Sequence, residues 1–415
     1  MARTLIDAGH ETWCVGGAVR DALLGLAHLD WDLATAATPA QVRRLFARTI
    51  PVGLEFGTVG VLDREGRMHE VTTFRRDVKT DGRHAVVEFG ASLDEDLARR
   101  DFTINAIAYD PIGRRLHDPF DGQGDLRRGV VRAVGAAEAR MREDRLRALR
   151  AIRFAARFDF AIEQATWIAI VDSAPHLTRL SPERVKQELE KTMEQVQAPS
   201  VALRRWRDSG AFHALIPALS DVPDALLRAV DCVPRPGPAG RPLRKPLRFA
   251  LLFSGLDGQQ VERQLRALRF SNLDIASVSG LVDRWHRLGS ALTTTLQSGT
   301  VPPDAELRRL AANVGRLHVG GFLRLCAARW AGNEAVRPAQ WRALHRRLLG
   351  IAFRDPIAIA DLAIDGDDLR QVGVQPGPAF GRILQGLLEH VLIDPTRNDR
   401  AILLSQARTL AASEA

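Results

Sequence analysis

Asp30 and Asp32 stand two positions apart around Trp31 in "LDWDLAT", just before an Ala/Thr-rich break. In an extended segment residues i and i+2 project from one face. The two carboxylates then repel each other unless a cation sits between them. Taken alone, a turn or a helix N-cap explains such a pair as well, because aspartate is common at both. Upstream, "VGGAVRD" (15–21) sets Gly16 and Gly17 before a helix that carries Arg20. Glycines let backbone approach a ligand closely, and the start of a helix offers free N–H groups to an anion. A phosphate cradle beside a carboxylate pair is what a metal–triphosphate site needs. Magnesium takes carboxylate, phosphate and water oxygens. Two such ions on shared carboxylates can activate a hydroxyl and stabilise a leaving pyrophosphate. Neither the P-loop nor the dinucleotide-binding glycine pattern is present in this stretch.

Other chemistry-bearing residues follow. In "RMHEVTTF", Met68, Glu70 and Thr72 share one face of an alternating run. If that strand lies beside the Asp30/Asp32 strand, Glu70 completes a carboxylate cluster; otherwise it is an exposed strand glutamate. In "DEDLARRDFTINAIAYD" (94–110) a charged stretch turns into an apolar one, with Arg100 and Asp101 at the junction. That junction reads as a pocket rim or as a helix end with routine ion pairs. In "EDRLRALRAIRFAARF" (143–158), Asp144 and Arg147 are three apart on one helix face, and Arg150 and Arg153 repeat the spacing. A solvated ion-pair ladder is the ordinary meaning of this pattern. The chemical meaning is sharper. Adenine and cytosine both offer an amino donor next to a ring-nitrogen acceptor, which a carboxylate and a guanidinium complement. Uracil and guanine present the reverse. An unpaired buried polar group costs about 1–3 kcal/mol, so one Asp–Arg pair can select A and C without a nucleic-acid template.

Secondary structure must hold these groups in place. "WCVGGAVRDALLG" reads as a strand, a Gly-Gly turn and a helix ending at Gly25, and "LDWDLAT" as a second strand. "TPAQVRRLFAR" opens a helix with Thr38 as N-cap and Pro39 at its first position. "TVGVLDREGRMHEVTTF" is a hairpin around "DREG". After about residue 135 strand signals vanish. "EARMREDRLRALRAIRFAARF" reads as one helix, and "SPERVKQELEKTMEQV" as another capped by Ser181 with Pro182 first. "VPRPGPAGRPLRKPLR" (233–248) reads as a basic, Pro-rich loop, and a small unit begins near Asp365, where "PGP" (376–378) opens a helix at or just after Pro378.

The 415 residues exceed one ordinary core. A composition 46% hydrophobic and 26% charged is that of a globular chain. The net charge of +8, carried mostly by arginine, favours a polyanionic partner, although generic arginine usage explains it equally well. Cys14, Cys232 and Cys326 give neither a disulfide framework nor zinc spacing. There is no apolar run of signal-peptide length and none near the ~20 residues of a membrane span, so a cytoplasmic setting is expected.

In this order the motifs resemble the class II tRNA nucleotidyltransferases, the CCA-adding enzymes, and their bacterial poly(A) polymerase relatives. "GGAVRD…LDWDLAT", "RRDFTINAIAYD", "DPFDGQGDL", "EDRLRALRAIRFAARF" and "SPERVKQELEK" carry the likeness over about residues 12–195, and "DGDDLRQVGVQPGPAFGRIL" is similar to the tail segment of longer members. The resemblance implies an α+β fold: a nucleotidyltransferase head of the DNA polymerase beta superfamily with a mixed sheet (1–134), then an all-helical neck (135–198), body (199–354) and tail (355–415). It implies Asp30 and Asp32 as ligands of two magnesium ions, with Glu70 an auxiliary carboxylate. Gly16, Gly17 and Arg20 become triphosphate contacts, and Arg100 and Asp101 fall in the ribose motif. Asp144 and Arg147 become the base-reading pair, with Arg150 and Arg153 as further nucleotide contacts. The substrates implied are tRNA, CTP and ATP, with no membrane partner. Relatives that add only two cytidines lack a flexible loop after the hairpin; segment 75–96 is complete here, so full CCA addition is expected. A-only addition, poly(A) synthesis and, from a different class, a catalytically silent RNA-binding protein are the alternatives; the last requires loss of a metal-binding aspartate, and both are present. Phosphohydrolase His-Asp pairs are not expected, since His117-Asp118 runs into "DPFDG".

Overall fold

The computed structural model describes residues 1–27, 31–80, 85–233, 241–371 and 377–414. The chain divides into two compact units, Met1–Asp221 and Val222–Ala415.

The first unit is built on a seven-stranded sheet in the order β3-β4-β5-β2-β1-β8-β9. Its strands are β1 (Thr12–Val15), β2 (Asp32–Thr35), β3 (Thr49–Gly53), β4 (Thr58–Leu62), β5 (Met68–Thr73), β8 (Ala108–Asp110) and β9 (Arg115–His117). β2 and β5 run parallel and the other neighbours antiparallel, so the sheet is mixed. β6 (Arg75–Thr80) and β7 (Ala85–Phe89) form a separate antiparallel ladder. Segment 75–96, expected as a flexible loop, is therefore largely strand and helix start, because alternation and β-branched residues in "AVVEF" favour pairing. Its residues 81–84 lie outside the described ones.

The helices of this unit are α1 (Ala2–Asp7), α2 (Gly17–Leu23), α3 (Pro39–Leu45), α4 (Leu93–Ala98), α5 (Gly122–Arg128), α6 (Ala137–Glu143), α7 (Leu146–Phe158), α8 (Gln164–Ser173), α9 (Pro182–Gln195), α10 (Pro199–Asp208) and α11 (Ala211–Leu215). α3 starts where its cap predicts: Thr38 accepts from Gln41 N and the Gln41 side chain returns to Thr38 N, a complete capping box. α9 follows Ser181 and Pro182 as expected, without a side-chain cap bond. Strands do not vanish after residue 135: β10 (Val130–Val131) pairs in parallel with β11 (Ala161–Ile162), a ladder too short to leave a periodic signal. Under the sheet, Val15, Ala34, Phe74, Leu97, Ala106 and Ala108 form a buried cluster.

A short 3₁₀ turn, Thr103–Asn105, lies against α5. Thr103 Oγ1 donates to Asp125 at 2.7 Å, and Asp118 accepts from the N–H groups of Gly122 and Gln123 at the start of α5. A Cβ on Gly122 would stand 2.2 Å from the Thr103 carbonyl oxygen. The glycine of "DPFDG" is thus required by close backbone approach.

The second unit is helical, with eleven α-helices between Asp224 and Glu414 among the described residues. The basic segment 233–248 is not simply a loop. Residues 234–240 lie outside the described ones, and Arg241–Phe253 is a helix with Pro246 inside it. An interior proline costs about 3 kcal/mol. Burying Leu247, Phe249, Leu251, Leu252 and Phe253, each 2% exposed or less, outweighs that at about 1.5–3 kcal/mol per side chain. The helix at "PGP" begins at Pro378, as expected; Pro376 lies outside the described residues. One hydrophobic cluster runs from Leu292 to Ala407 and includes Phe322, Trp330, Leu348, Leu387 and Leu403.

Gly122→Ala is expected to lower stability by about 1–3 kcal/mol through overpacking. Gly350→Ala, in a helix with open space at the Cβ position, should raise it by up to about 1 kcal/mol. Urea denaturation of both variants checks this; equal effects would show that the contact with Thr103 is not a constraint.

Candidate active site

Strand register assembles the first part of the site. β1 and β2 pair from Thr12↔Thr35 to Val15↔Asp32, so the end of β1 lies beside the start of β2. The Gly16–Gly17 turn that leaves β1 therefore stands next to Asp32. Gly16 has φ 77° and ψ −138°, a conformation costly for any other residue. A Cβ there would come within 3.1 Å of Arg100 Nη1 and 3.9 Å of Asp32 Oδ2. On the other flank, Leu33 pairs with Val71 in parallel. Asp32 and Glu70 each precede those partners, so they hold adjoining positions on one face of the sheet.

β2 begins at Asp32, and the other aspartate of the expected pair, Asp30, lies outside the described residues. Among the described residues no group of three or more His, Cys, Asp or Glu side chains gathers to hold a metal.

Asp32 opens into a cleft of about 500 Å³. Gly16, Gly17, Arg20, Arg100, Asp101, Asp144, Arg147, Arg150 and Arg153 all line it; Glu70 is not in its lining. Arg99, Arg157 and Lys191 raise its cationic side chains to eight, against the carboxylates of Asp32, Asp101 and Asp144. Such a wall is suited to a polyanion.

A buried network orders this wall. Arg20 is 3% exposed; its Nε donates to Asp21 and its Nη1 to Asn105 Oδ1 at 2.6 Å. Its guanidinium also lies 4.7 Å from the Phe158 ring centroid and 5.0 Å from that of Phe154. Asn105 Nδ2 donates to Asp101 Oδ1, which also accepts from Phe102 N. Asp101 Oδ2 accepts from Arg150 at 2.7–2.8 Å. Burial pushes the Asp101 carboxyl upward, but Arg150 and the Asn105 hydrogen bond hold it below the usual carboxylate range. Asp96, 1% exposed, behaves likewise: burial raises it, and Arg99 and Arg100 more than reverse that. At the far end, Arg153 donates to Glu188 at 2.6 Å and to Gln195, while burial lowers its own pKa.

One expectation about the base-reading residues is corrected. Segment 138–158 is not one helix, and Asp144 and Arg147 do not share a helix face. α6 ends at Glu143, Asp144 is extended at φ −147° and ψ 106°, and α7 starts at Leu146. The cause is local: Asp144 Oδ1 accepts from Leu146 N at 3.0 Å, a side-chain-to-backbone bond that competes with helix continuation. Arg147 N still bonds to Asp144 O, which keeps the two residues together in one turn. Asp144 Oδ2 accepts from Arg184, and Arg147 donates to Glu143 and to the carbonyls of Arg140 and Arg99. Both still face the cleft, and the carboxylate keeps lone pairs for a further donor.

Sequence reasoning missed Asp21, Asp96, Asn105 and Glu188, which set the positions of the arginines. Each lies inside or beside a quoted motif, yet the contacts of Glu188 with Arg153, Asn105 with Arg20 and Asp21 with Arg157 span 35, 85 and 136 positions and leave no local signal.

The "Poly A polymerase head domain" model matches residues 12–132, and the "tRNA nucleotidyltransferase domain 2" model matches residues 247–407. The CCA-adding enzyme of Geobacillus kaustophilus is 36% identical over 99% of this chain and 96% of its own length. That of Lactiplantibacillus plantarum is 34% identical over 100% and 96%. Among solved structures, the Bacillus stearothermophilus CCA-adding enzyme in complex with CTP superposes with a TM-score of 0.76 at 32% identity, covering 98% of this chain and 96% of that one. The fold also matches a Thermotoga maritima CCA-adding enzyme complexed with tRNA, at a TM-score of 0.69, 22% identity, and 100% and 94% coverage. With relatives this similar along its whole length, the chain belongs to the CCA-adding enzymes, a family of tRNA nucleotidyltransferases.

Proposed function

We propose that the arginine-lined cleft adds the 3′-terminal CCA to tRNA from CTP and ATP by two-metal nucleotidyl transfer, with the protein itself as the base template. The observation that supports this reading most is the convergence of Asp32, the Gly16–Gly17 turn and the arginines of α7 on one cleft. Alternatives limited to poly(A) or A-only addition are disfavoured by the full-length likeness to CCA-adding enzymes.

The donor set fits a hard divalent cation. Carboxylate oxygens are magnesium ligands, and Gly16 leaves beside Asp32 Oδ2 the space that a Cβ would fill. In this reading Asp30 and Asp32 hold two magnesium ions and Glu70 supports them from the next strand. When bound, the metal lowers the pKa of the attacking 3′-hydroxyl and neutralises charge on the leaving pyrophosphate.

The chain's own groups do the rest. The Gly-Gly turn admits the phosphates to the start of α2. Arg20, tied to Asp21 and Asn105, forms a fixed positive floor rather than a mobile contact. Arg100 and Asp101 stand on the ribose side. Asp144 accepts from the amino group of cytosine or adenine, and Arg147 donates to the adjacent ring nitrogen. Arg150 and Arg153, held by Asp101 and Glu188, add positive charge around the nucleotide. The work divides along the chain: catalysis in 1–134, base recognition in 135–198, and tRNA binding in 199–354 and 355–415. No helix among the described residues is long and apolar enough to cross a membrane, and we place the enzyme in the cytoplasm with its tRNA substrate.

Asp32→Ala is expected to lower kcat by about 10²–10³-fold or more with tRNA affinity retained. Single-turnover incorporation of labelled CTP with magnesium as sole metal checks this, and near-normal turnover would refute the assignment. Asp144→Ala should erode discrimination against UTP and GTP about tenfold while triphosphate affinity changes less. Competition assays on tRNAs ending before CCA, after C and after CC measure it; intact selectivity would remove the template role.

Asp101 carries a pH signature. Its folded pKa is depressed, so its stabilisation is complete above about pH 4, the unfolded value, and is lost as pH falls through the folded value. Asp101→Asn should cost on the order of 2 kcal/mol at pH 7. That is below the ~3–5 kcal/mol of a fully buried pair, because the Arg150 side chain is 31% exposed. Denaturant melts from pH 7 to pH 2 should show the gap between wild type and variant closing at the acid end; a constant gap would contradict the linkage.

A further inference from the structure

The second unit carries a pocket of its own, about 630 Å³ in volume. It lies where the helix Asp224–Asp231 ends, between the helices Val319–Asn333 and Pro338–Arg354. Trp341 forms one wall, with the His345 ring edge-on to it at 6.0 Å. Arg324 from one helix and Arg342 and Arg346 from the other surround the opening, and all three are exposed.

These arginines differ from their neighbours. Arg308, Arg309, Arg316 and Arg347 are paired with Asp355, Glu389, Asp361 and Asp304. Arg324, Arg342 and Arg346 have no carboxylate partner among the described residues. Arg342 and Arg346 also stand at i and i+4 on one helix, a like-charge spacing that costs helix stability. Uncompensated positive charge gathered around an indole and a mostly apolar wall matches a ligand with an anionic end and a flat ring, which is a nucleotide. The lining contains no carboxylate and therefore nothing to hold the divalent ion that accompanies a nucleoside triphosphate. A phosphodiester carries a single charge and needs no such ion. Unstacked bases of RNA are commonly held on aromatic faces and guanidinium planes.

We propose that this pocket holds one unstacked nucleotide of the bound tRNA, its backbone phosphates on Arg324, Arg342 and Arg346 and its base against Trp341. The assignment rests on the tRNA-binding reading above and adds to it a defined point of grip outside the catalytic cleft.

The test uses the full chain and a tRNA transcript lacking CCA. Cys232 lines the pocket and is exposed, whereas Cys14 and Cys326 are buried, so pulse labelling with N-ethylmaleimide reports on occupancy. Saturating tRNA should slow Cys232 labelling at least fivefold, and ATP or CTP alone should not. Arg342→Gln/Arg346→Gln should raise the tRNA Kd about tenfold and flatten the slope of log K against log salt by about 1.5, as expected for two lost phosphate contacts. Arg347→Gln, which removes a paired charge from the same helix, should change the Kd less than twofold. Trp341→Leu should weaken tRNA binding with the salt slope unchanged; if it unfolds, the arginine variants decide. Unprotected Cys232 together with an unchanged Kd in the double variant would overturn the proposal. Protection by ATP alone would also overturn it, by assigning the pocket to a free nucleotide. Failure of wild-type protein to bind tRNA in the same assay would instead refute the underlying reading.

Discussion

Asp101 is the carboxylate on which the cleft is organised. Its two oxygens serve the backbone of Phe102, the amide of Asn105 and the guanidinium of Arg150. Through Asn105 the same chain of contacts reaches Arg20, and through Arg20 it reaches Asp21 and Arg157. A sheet-based head and a helix more than forty residues later are thereby joined by charge. Stability alone does not explain the arrangement, since well-packed apolar residues often replace buried ion pairs at no loss. Under the proposed function, a catalytic reason does. Donors fixed before the substrate arrives need no reorganisation when charge develops, and a network with each carboxylate shared between partners fixes several arginines at once.

Backbone proximity sets the other half of the geometry. Val15 opposite Asp32 puts the Gly16–Gly17 turn beside the Asp32 carboxylate through strand register. Gly122, pressed against Thr103, holds the turn from which Asn105 projects. The two glycines act differently: Gly16 is needed for its positive φ as well as for space, and Gly122 for space alone.

The sequence made the chemistry legible before the geometry. Clusters of unusual residue types, such as Gly16–Gly17 before Asp30 and Asp32, mark a site because ordinary folding does not require them together. The capped helix at Thr38 and the hairpin around "DREG" were readable because their signals are local. The break at Asp144 was hidden because arginine, leucine and alanine on both sides favour a helix, while one side-chain hydrogen bond to Leu146 N decides otherwise. The helix at Arg241–Phe253 was obscured in the opposite sense: Pro246 argues against it locally, and burial of its apolar face, a tertiary effect, prevails. Partners such as Asn105 and Glu188 became identifiable only once distant segments met.

The hydrophobic cluster from Leu292 to Ala407 has a bearing on biosynthesis. Leu403 and Ala407 fill the same core as Leu292 and Phe322, so this core cannot close until residues near 407 have cleared the ribosome. The first unit, complete by Asp221, contains its own sheet and apolar cluster and is free to fold earlier. During synthesis the chain therefore passes through an interval in which the arginine-lined cleft can form while the later helices still expose leucine and phenylalanine. Chaperone demand should concentrate in that interval. Mistranslation or premature termination within the last hundred or so residues should then leave an open apolar core, recognisable to quality-control proteases, behind a finished nucleotidyltransferase head.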